Sequence, residues 1–140
     1  MVFSEGASTL PRPESEHPTQ LELEILKILW QESPLPVREV RARLKETDRP
    51  LAHSSVITIL NIMHRKGYVS RKRSGNAFLF SPKVEEGSVT GQMMTDLLSR
   101  AFGGSPAAMM LKLLETDDID AEELAQLRKL INQKAKELKQ

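Results

Sequence analysis

Three features of the 140-residue chain predict a mainly α fold built around a winged helix-turn-helix with a small two-stranded wing. Val56, Ile59, Leu60 and Met63 recur at i, i+3, i+4 and i+7, one apolar stripe along a helix over 53–66. Gly67 stands where that helix should stop, with Arg65 and Lys66 in its last turn to complement the dipole. Tyr68-Val69-Ser70-Arg71-Lys72-Arg73 and Ala77-Phe78-Leu79-Phe80 then read as two short strands about a Ser74-Gly75-Asn76 turn. A helix followed at once by a basic hairpin is the arrangement in which the helix enters a DNA major groove and the hairpin lies along the phosphates.

The totals bound the rest. A chain that is 39% hydrophobic can bury a core, but with 4% aromatic residues it cannot rely on large rings. The net charge of +1 hides an asymmetry. Between Pro34 and Lys83 eleven Lys and Arg face three acidic residues, a local charge of +8, while the remainder carries −7. One region therefore suits a polyanion and another suits something else. The absence of cysteine excludes disulfides and zinc ribbons. His53 and His64, roughly 16 Å apart on one helix, do not make a metal site. No metal or other cofactor is expected. No apolar run approaches the ~20 residues needed to span a bilayer. The N-terminus has no signal-peptide pattern, so neither membrane insertion nor export is expected, and the default address is the cytoplasm. No nucleophile motif, glycine-rich phosphate loop or apolar carboxylate pair points to an enzyme.

Residues 1–18, rich in proline, serine and scattered acids, read as a disordered arm. Residues 19–83 read as the winged-helix domain. Thr19 caps a first helix over 20–31, with Glu22 placed for a capping box and Leu21, Ile25, Ile28 and Leu29 as the buried stripe. Trp30, at the end of that run, reads as core. Ser33-Pro34-Leu35-Pro36 breaks the helix. A second helix over 37–45 buries Val37, Val40 and Leu44 and turns Arg38, Arg41 and Arg43 outward. The loop 47–51 leads into the third helix. Val69, Phe78 and Phe80, with Tyr68, are expected to form the core of the wing.

After Lys83 the composition turns acidic and helical, and residues 84–140 read as a dimerisation region. Helices are expected over 87–101, from Ser105-Pro106 onward, and from the Asp120 cap to the C-terminus. Three short helices make a poor independent core, so their apolar side chains are expected to bury against a second copy. The residues assigned to that interface are Met93, Leu97, Met109, Met110, Leu113, Leu124, Leu127 and Ile131.

Ser54, Ser55, Thr58 and Asn61 are small or polar and lie off the apolar stripe, suited to base edges or backbone, with Ile57 available to a thymine methyl. His53 suits either role. Arg71, Lys72 and Arg73, with Arg38 and Arg41, suit phosphates, and Asn76 sits in the wing turn. The expected partners are therefore double-stranded DNA and a second copy of the chain. The competing expectation is a winged helix used as a protein-interaction module without an operator.

With these elements placed, the sequence resembles the penicillinase-repressor family, the BlaI/MecI type of bacterial winged-helix regulators. The resemblance rests on Leu23-Glu24-Ile25-Leu26-Lys27-Ile28-Leu29-Trp30, Val37-Arg38-Glu39-Val40, Leu51 to Leu60, Lys66-Gly67-Tyr68-Val69 and Asn76 to Pro82. It implies a dimeric transcriptional repressor on an inverted-repeat operator. It also implies release by a sensor-linked protease that cuts an Asn-Phe pair. Here Lys112-Leu113 stands at the matching place, so that pair is absent. The cysteine cluster of a copper-responsive branch is absent as well. Some members carry Arg where this chain has Ile62 and Asn76.

Overall fold

The computed structural model describes residues 17–140, so the expected arm, apart from His17 and Pro18, lies outside the described residues. The elements run α1 (Gln20–Gln31), β1 (Leu35–Pro36), α2 (Val37–Glu46), α3 (His53–Lys66), β2 (Val69–Ser74), β3 (Ala77–Pro82), α4 (Glu86–Phe102), α5 (Pro106–Glu115) and α6 (Ala121–Lys139). The chain divides into two compact units between Met93 and Met94, inside α4.

In the first unit α1 starts on the expected capping box. The Glu22 amide donates to the Thr19 hydroxyl at 3.2 Å, and the Thr19 amide donates to Glu22 Oε1 at 2.8 Å. Ile25, Leu26, Ile28 and Leu29 are buried, with Leu21 and Trp30 packed at the margin. The Trp30 indole N–H donates to the Val84 carbonyl at 2.9 Å, so its polar end is satisfied while the ring serves the core. Glu22 does more than cap. It is fully buried, and Lys66 Nζ donates to its Oε2 at 3.0 Å, fastening the end of α3 to the start of α1.

The prolines after α1 do break the helix, but the segment is also a strand. Leu35 pairs antiparallel with Phe80 and Pro36 with Leu79, which makes a three-stranded sheet in the order β1-β3-β2 instead of a two-stranded wing alone. Leu35 is buried among the core side chains, and Pro36 is tolerated because β1 is an edge strand, where a missing N–H leaves no ladder bond unmade.

α2 buries Val40 and Leu44. Of its arginines, Arg43 is not directed to solvent: its Nη2 donates to Glu32 Oε1 at 2.6 Å. Arg41 Nε donates to the Leu51 carbonyl at 2.8 Å and holds the loop that leads into α3. Arg49, in the same loop, grips both carboxylate oxygens of Glu24, at 3.1 and 2.6 Å. That fork holds the Glu24 carboxyl below its ordinary range.

α3 buries Val56, Leu60 and Met63 completely, with Ile59 partly buried. Gly67 closes it at φ 85°, its amide donating to His64 O, and the Tyr68 amide donates to Met63 O at 2.9 Å. The wing follows immediately. Its turn holds two residues, not three: Ser74 pairs with Ala77, and Gly75 takes the positive φ of 62° that the first position of a tight hairpin turn requires.

The second unit holds the rest of α4 with α5 and α6. Gly103 and Gly104 end α4 with positive φ, Ser105 caps α5, and Asp120 caps α6 by accepting from the Glu123 amide at 2.8 Å. No residue of α5 or α6 is buried. None of the helices is long and apolar enough to cross a membrane, among the described residues.

Lys66→Ala, which strips the ammonium from a buried carboxylate, should destabilise the first unit by about 3 kcal/mol in urea unfolding. The Arg49–Glu24 pair sets a pH dependence of defined sign. A lowered native carboxyl contributes fully above its unfolded value, and the contribution disappears as pH falls through the native one. The stability difference between the wild type and Arg49→Ala should therefore be largest near neutrality and shrink on acidification, measured by urea unfolding across that range.

Candidate nucleic-acid interface

Burial of Val56, Leu60 and Met63 turns the opposite side of α3 outward. The expected contact residues divide between the two flanks of that outward side. Toward the wing lies a groove of about 400 Å³ that gathers Arg38 from α2, His53, Ile57 and Asn61 from α3, and Arg71 and Asn76 from the wing. Its apolar wall comes from Pro36, Val37, Ala77, Phe78 and Phe80. Toward α1, Ser54, Ser55 and Thr58 border a shallower depression with Leu21, Ile59 and Ile62. Arg41 borders a third, with Arg38, Lys45 and the Pro50-Leu51 segment. Ser54 does not cap the helix. The cap position is Ala52, which offers no side-chain oxygen, and Ser54 sits exposed in the first turn. Its carbonyl accepts from the Thr58 hydroxyl at 2.9 Å, so the Thr58 hydrogen is committed to its own helix.

The wing core departs from expectation at one residue. Phe78 is not core; it is 36% exposed, while Val69 and Phe80 are buried. The register explains this. With a two-residue turn Arg73 stands opposite Phe78 and Arg71 opposite Phe80, so both arginines share the face of the two phenylalanines. The burial fades along that face from Val69 and Phe80 toward the tip, and the phenyl ring near the tip serves the arginines instead. Arg71 lies 4.8 Å and Arg73 5.5 Å from the Phe78 ring centroid. Lys72, opposite Leu79, points to the other face. The three consecutive cations therefore do not form one patch. They straddle the hairpin, which relieves their mutual repulsion without an anion.

Arg71 also reaches across to the helix, its Nη1 donating to Asn61 Oδ1 at 3.0 Å. Neither that bond nor the Phe78 platform is signalled by the sequence pattern, because both depend on a register that a three-residue turn would shift by one. Two exposed apolar side chains, Ile57 at 38% and Phe78 at 36%, sit in the same groove as these groups. Among the described residues there is no group of three His, Cys, Asp or Glu able to hold a metal ion.

The chain is similar to several known proteins. A penicillinase repressor of Bacillus licheniformis is 26% identical over 112 residues, 80% of this chain and 87% of that protein. The methicillin resistance regulatory protein MecI of Staphylococcus aureus (strain N315) is 20% identical over 113 residues, 81% of this chain and 91% of that protein. The solution structure of the DNA-binding domain of the repressor BlaI matches 49% of this chain and 82% of that one, at 26% identity and a TM-score of 0.44. The penicillinase repressor family matches residues 18–133, nearly the whole described length, and the chain belongs to that family.

Proposed function

We propose that this chain is a DNA-binding transcriptional repressor that acts as a cytoplasmic homodimer on an inverted-repeat operator. The observation that carries the reading is the outward side of α3, small and polar along Ser54 and Thr58, with arginines of α2 and of the wing flanking it. A helix with short polar side chains can lie deep in a major groove while flanking cations meet phosphates. Ser54, Ser55, Ile57, Thr58 and Asn61 would face base edges. Arg38, Arg41, Lys72 and Arg73, and the remaining donors of Arg71, would face phosphates.

The second unit supports the dimer. Leu97, Leu113, Leu124 and Ile131 are between 41% and 52% exposed, and Leu111 and Leu130 both reach 61%. Exposed leucines on α5 and α6, which bury no residue, and on the C-terminal part of α4 are what a partner copy would cover. Control by a sensor-linked protease is less well supported. Lys112 and Leu113 lie inside α5, so a cut there would require the helix to open as well as a different residue preference. The exposed Ile57 and Phe78 favour one alternative, a module that takes an acidic, partly apolar peptide.

Replacing Arg71, Lys72 and Arg73 together by glutamine should weaken binding to every duplex. It should also lower the slope of log affinity against log salt by about 0.9 for each phosphate no longer neutralised. Mobility-shift titrations at several salt concentrations read both quantities, and an unchanged slope removes the wing from the interface. Sedimentation equilibrium should find the wild type dimeric and a Leu124→Asp/Ile131→Asp variant monomeric, with the fold of the first unit intact. A monomeric wild type would remove the inverted-repeat reading.

A further inference from the structure

We propose that Asn61 is a specificity-determining residue for a base that presents an acceptor with no donor beside it, guanine or thymine, and that Arg71 is the positioning residue that makes it so. The proposal rests on the operator reading above and names what one side chain of α3 selects.

The starting point is the bond from Arg71 Nη1 to Asn61 Oδ1 at 3.0 Å. A guanidinium carries five donors and no acceptor. Whichever way the amide of Asn61 is first drawn, the atom that faces Arg71 has to be the carbonyl oxygen. The NH2 group therefore occupies the other branch, away from the wing. Arg71 is itself held in place. Its guanidinium lies 4.8 Å from the Phe78 centroid, and its backbone is paired with Phe80 in the middle of the hairpin. Asn61 is thus fixed from outside its own helix, by a cation seated on a ring.

This orientation decides what Asn61 can read. The familiar pairing of asparagine with adenine uses both ends of the amide, the oxygen accepting from N6 and the nitrogen donating to N7. Here the charge-assisted bond turns the oxygen toward the wing, so adenine N6 would have to reach its second lone pair from that side. The NH2 remains, and it suits guanine O6 and N7 or thymine O4; adenine N7 also accepts, but the N6 donor beside it then meets no acceptor. Cytosine offers its own N4 donor at that edge and is disfavoured. Ile57 stands one turn earlier in the same groove, 38% exposed, where a thymine methyl would find an apolar neighbour.

The test is a binding selection of the full chain from a randomised duplex library, followed by competition among the four bases at each position of the enriched site. The wild type should prefer guanine or thymine by about fivefold or more at one position of each half-site. Asn61→Ala should flatten the preference at that position and leave the others. Arg71→Ala should admit adenine at the same position, because the amide is then free to turn. Lys72→Ala should lower affinity for all four bases equally and keep the preference. Arg71 is exposed, so loss of fold is not expected. Arg71→Gln, which can hold either end of the amide, should also admit adenine and serves as the second variant. The proposal is overturned if Arg71→Ala and Arg71→Gln lose affinity uniformly as Lys72→Ala does, if the Asn61-dependent base is adenine, or if no position depends on Asn61. A wild type that enriches no sequence at all overturns the operator reading, and this proposal with it.

Discussion

The rotation of α3 about its own axis is the constraint on which the rest depends. Val56, Leu60 and Met63 have no exposed surface, and each such burial contributes roughly 1.5–3 kcal/mol. Turning the helix by one residue would expose them and push polar neighbours inward, at a cost no surface contact could offset. The outward set is fixed by that inward set. Gly67 then ends the helix at once, and the Tyr68 amide is tied back to Met63, so the wing begins at a defined angle within a residue or two of the helix end. The buried Glu22–Lys66 pair fastens the same corner to α1. The groove between helix and wing is therefore a consequence of core packing, not of the side chains that line it.

This is why so much was legible in the sequence. The stripe of α3, the stop at Gly67, the capping box of Thr19 and Glu22, and the caps at Ser105 and Asp120 are local patterns with local causes, and each element formed where its pattern lay. What sequence could not supply was pairing between distant segments. β1 is two residues long and carries a proline, so nothing in its own pattern marks a strand; it exists because Phe80 and Leu79 are there to pair with. The turn of the wing is the sharper case. Counting Ser74 into it shifts the register by one, which sets Lys72 instead of Arg73 opposite Phe78 and hides the arginine–phenyl platform. Given the true register, Arg73 opposite Phe78 follows directly. Partner choice was equally hidden. Arg38, Arg41 and Arg43 look alike on one helix, yet Arg43 is taken up by Glu32 and Arg41 binds a loop carbonyl.

The two units divide the chemistry. The first holds nearly all the buried apolar side chains, every strand among the described residues and the local charge of +8. The second is helix throughout, with its caps in order and its dipoles complemented, but with leucines left at the surface. Helices of this length are not stabilised by propensity and capping alone; they need an apolar face covered. A unit so well formed locally and so poorly buried is what the proposed second copy would complete. The same incompleteness in the first unit would be a defect on the proposed reading, since a helix that reads DNA has to be rigid before it meets its target.

The groove beside α3 has an apolar wall and cationic edges, and the proposed duplex would answer both. A small anion would find the arginines but gain little from Ile57 and Phe78. An acidic, partly apolar peptide would find both the arginines and those two side chains, but would gain little from the small polar side chains of α3. A duplex presents both demands in the right order, phosphates at the margins and base edges with thymine methyls between them. Phe78 then has a role that exposure alone would not reveal. By seating Arg71 and Arg73 on its face it restricts two long side chains, so on the proposed reading part of their rotamer entropy would be given up when the protein folds instead of when it binds DNA.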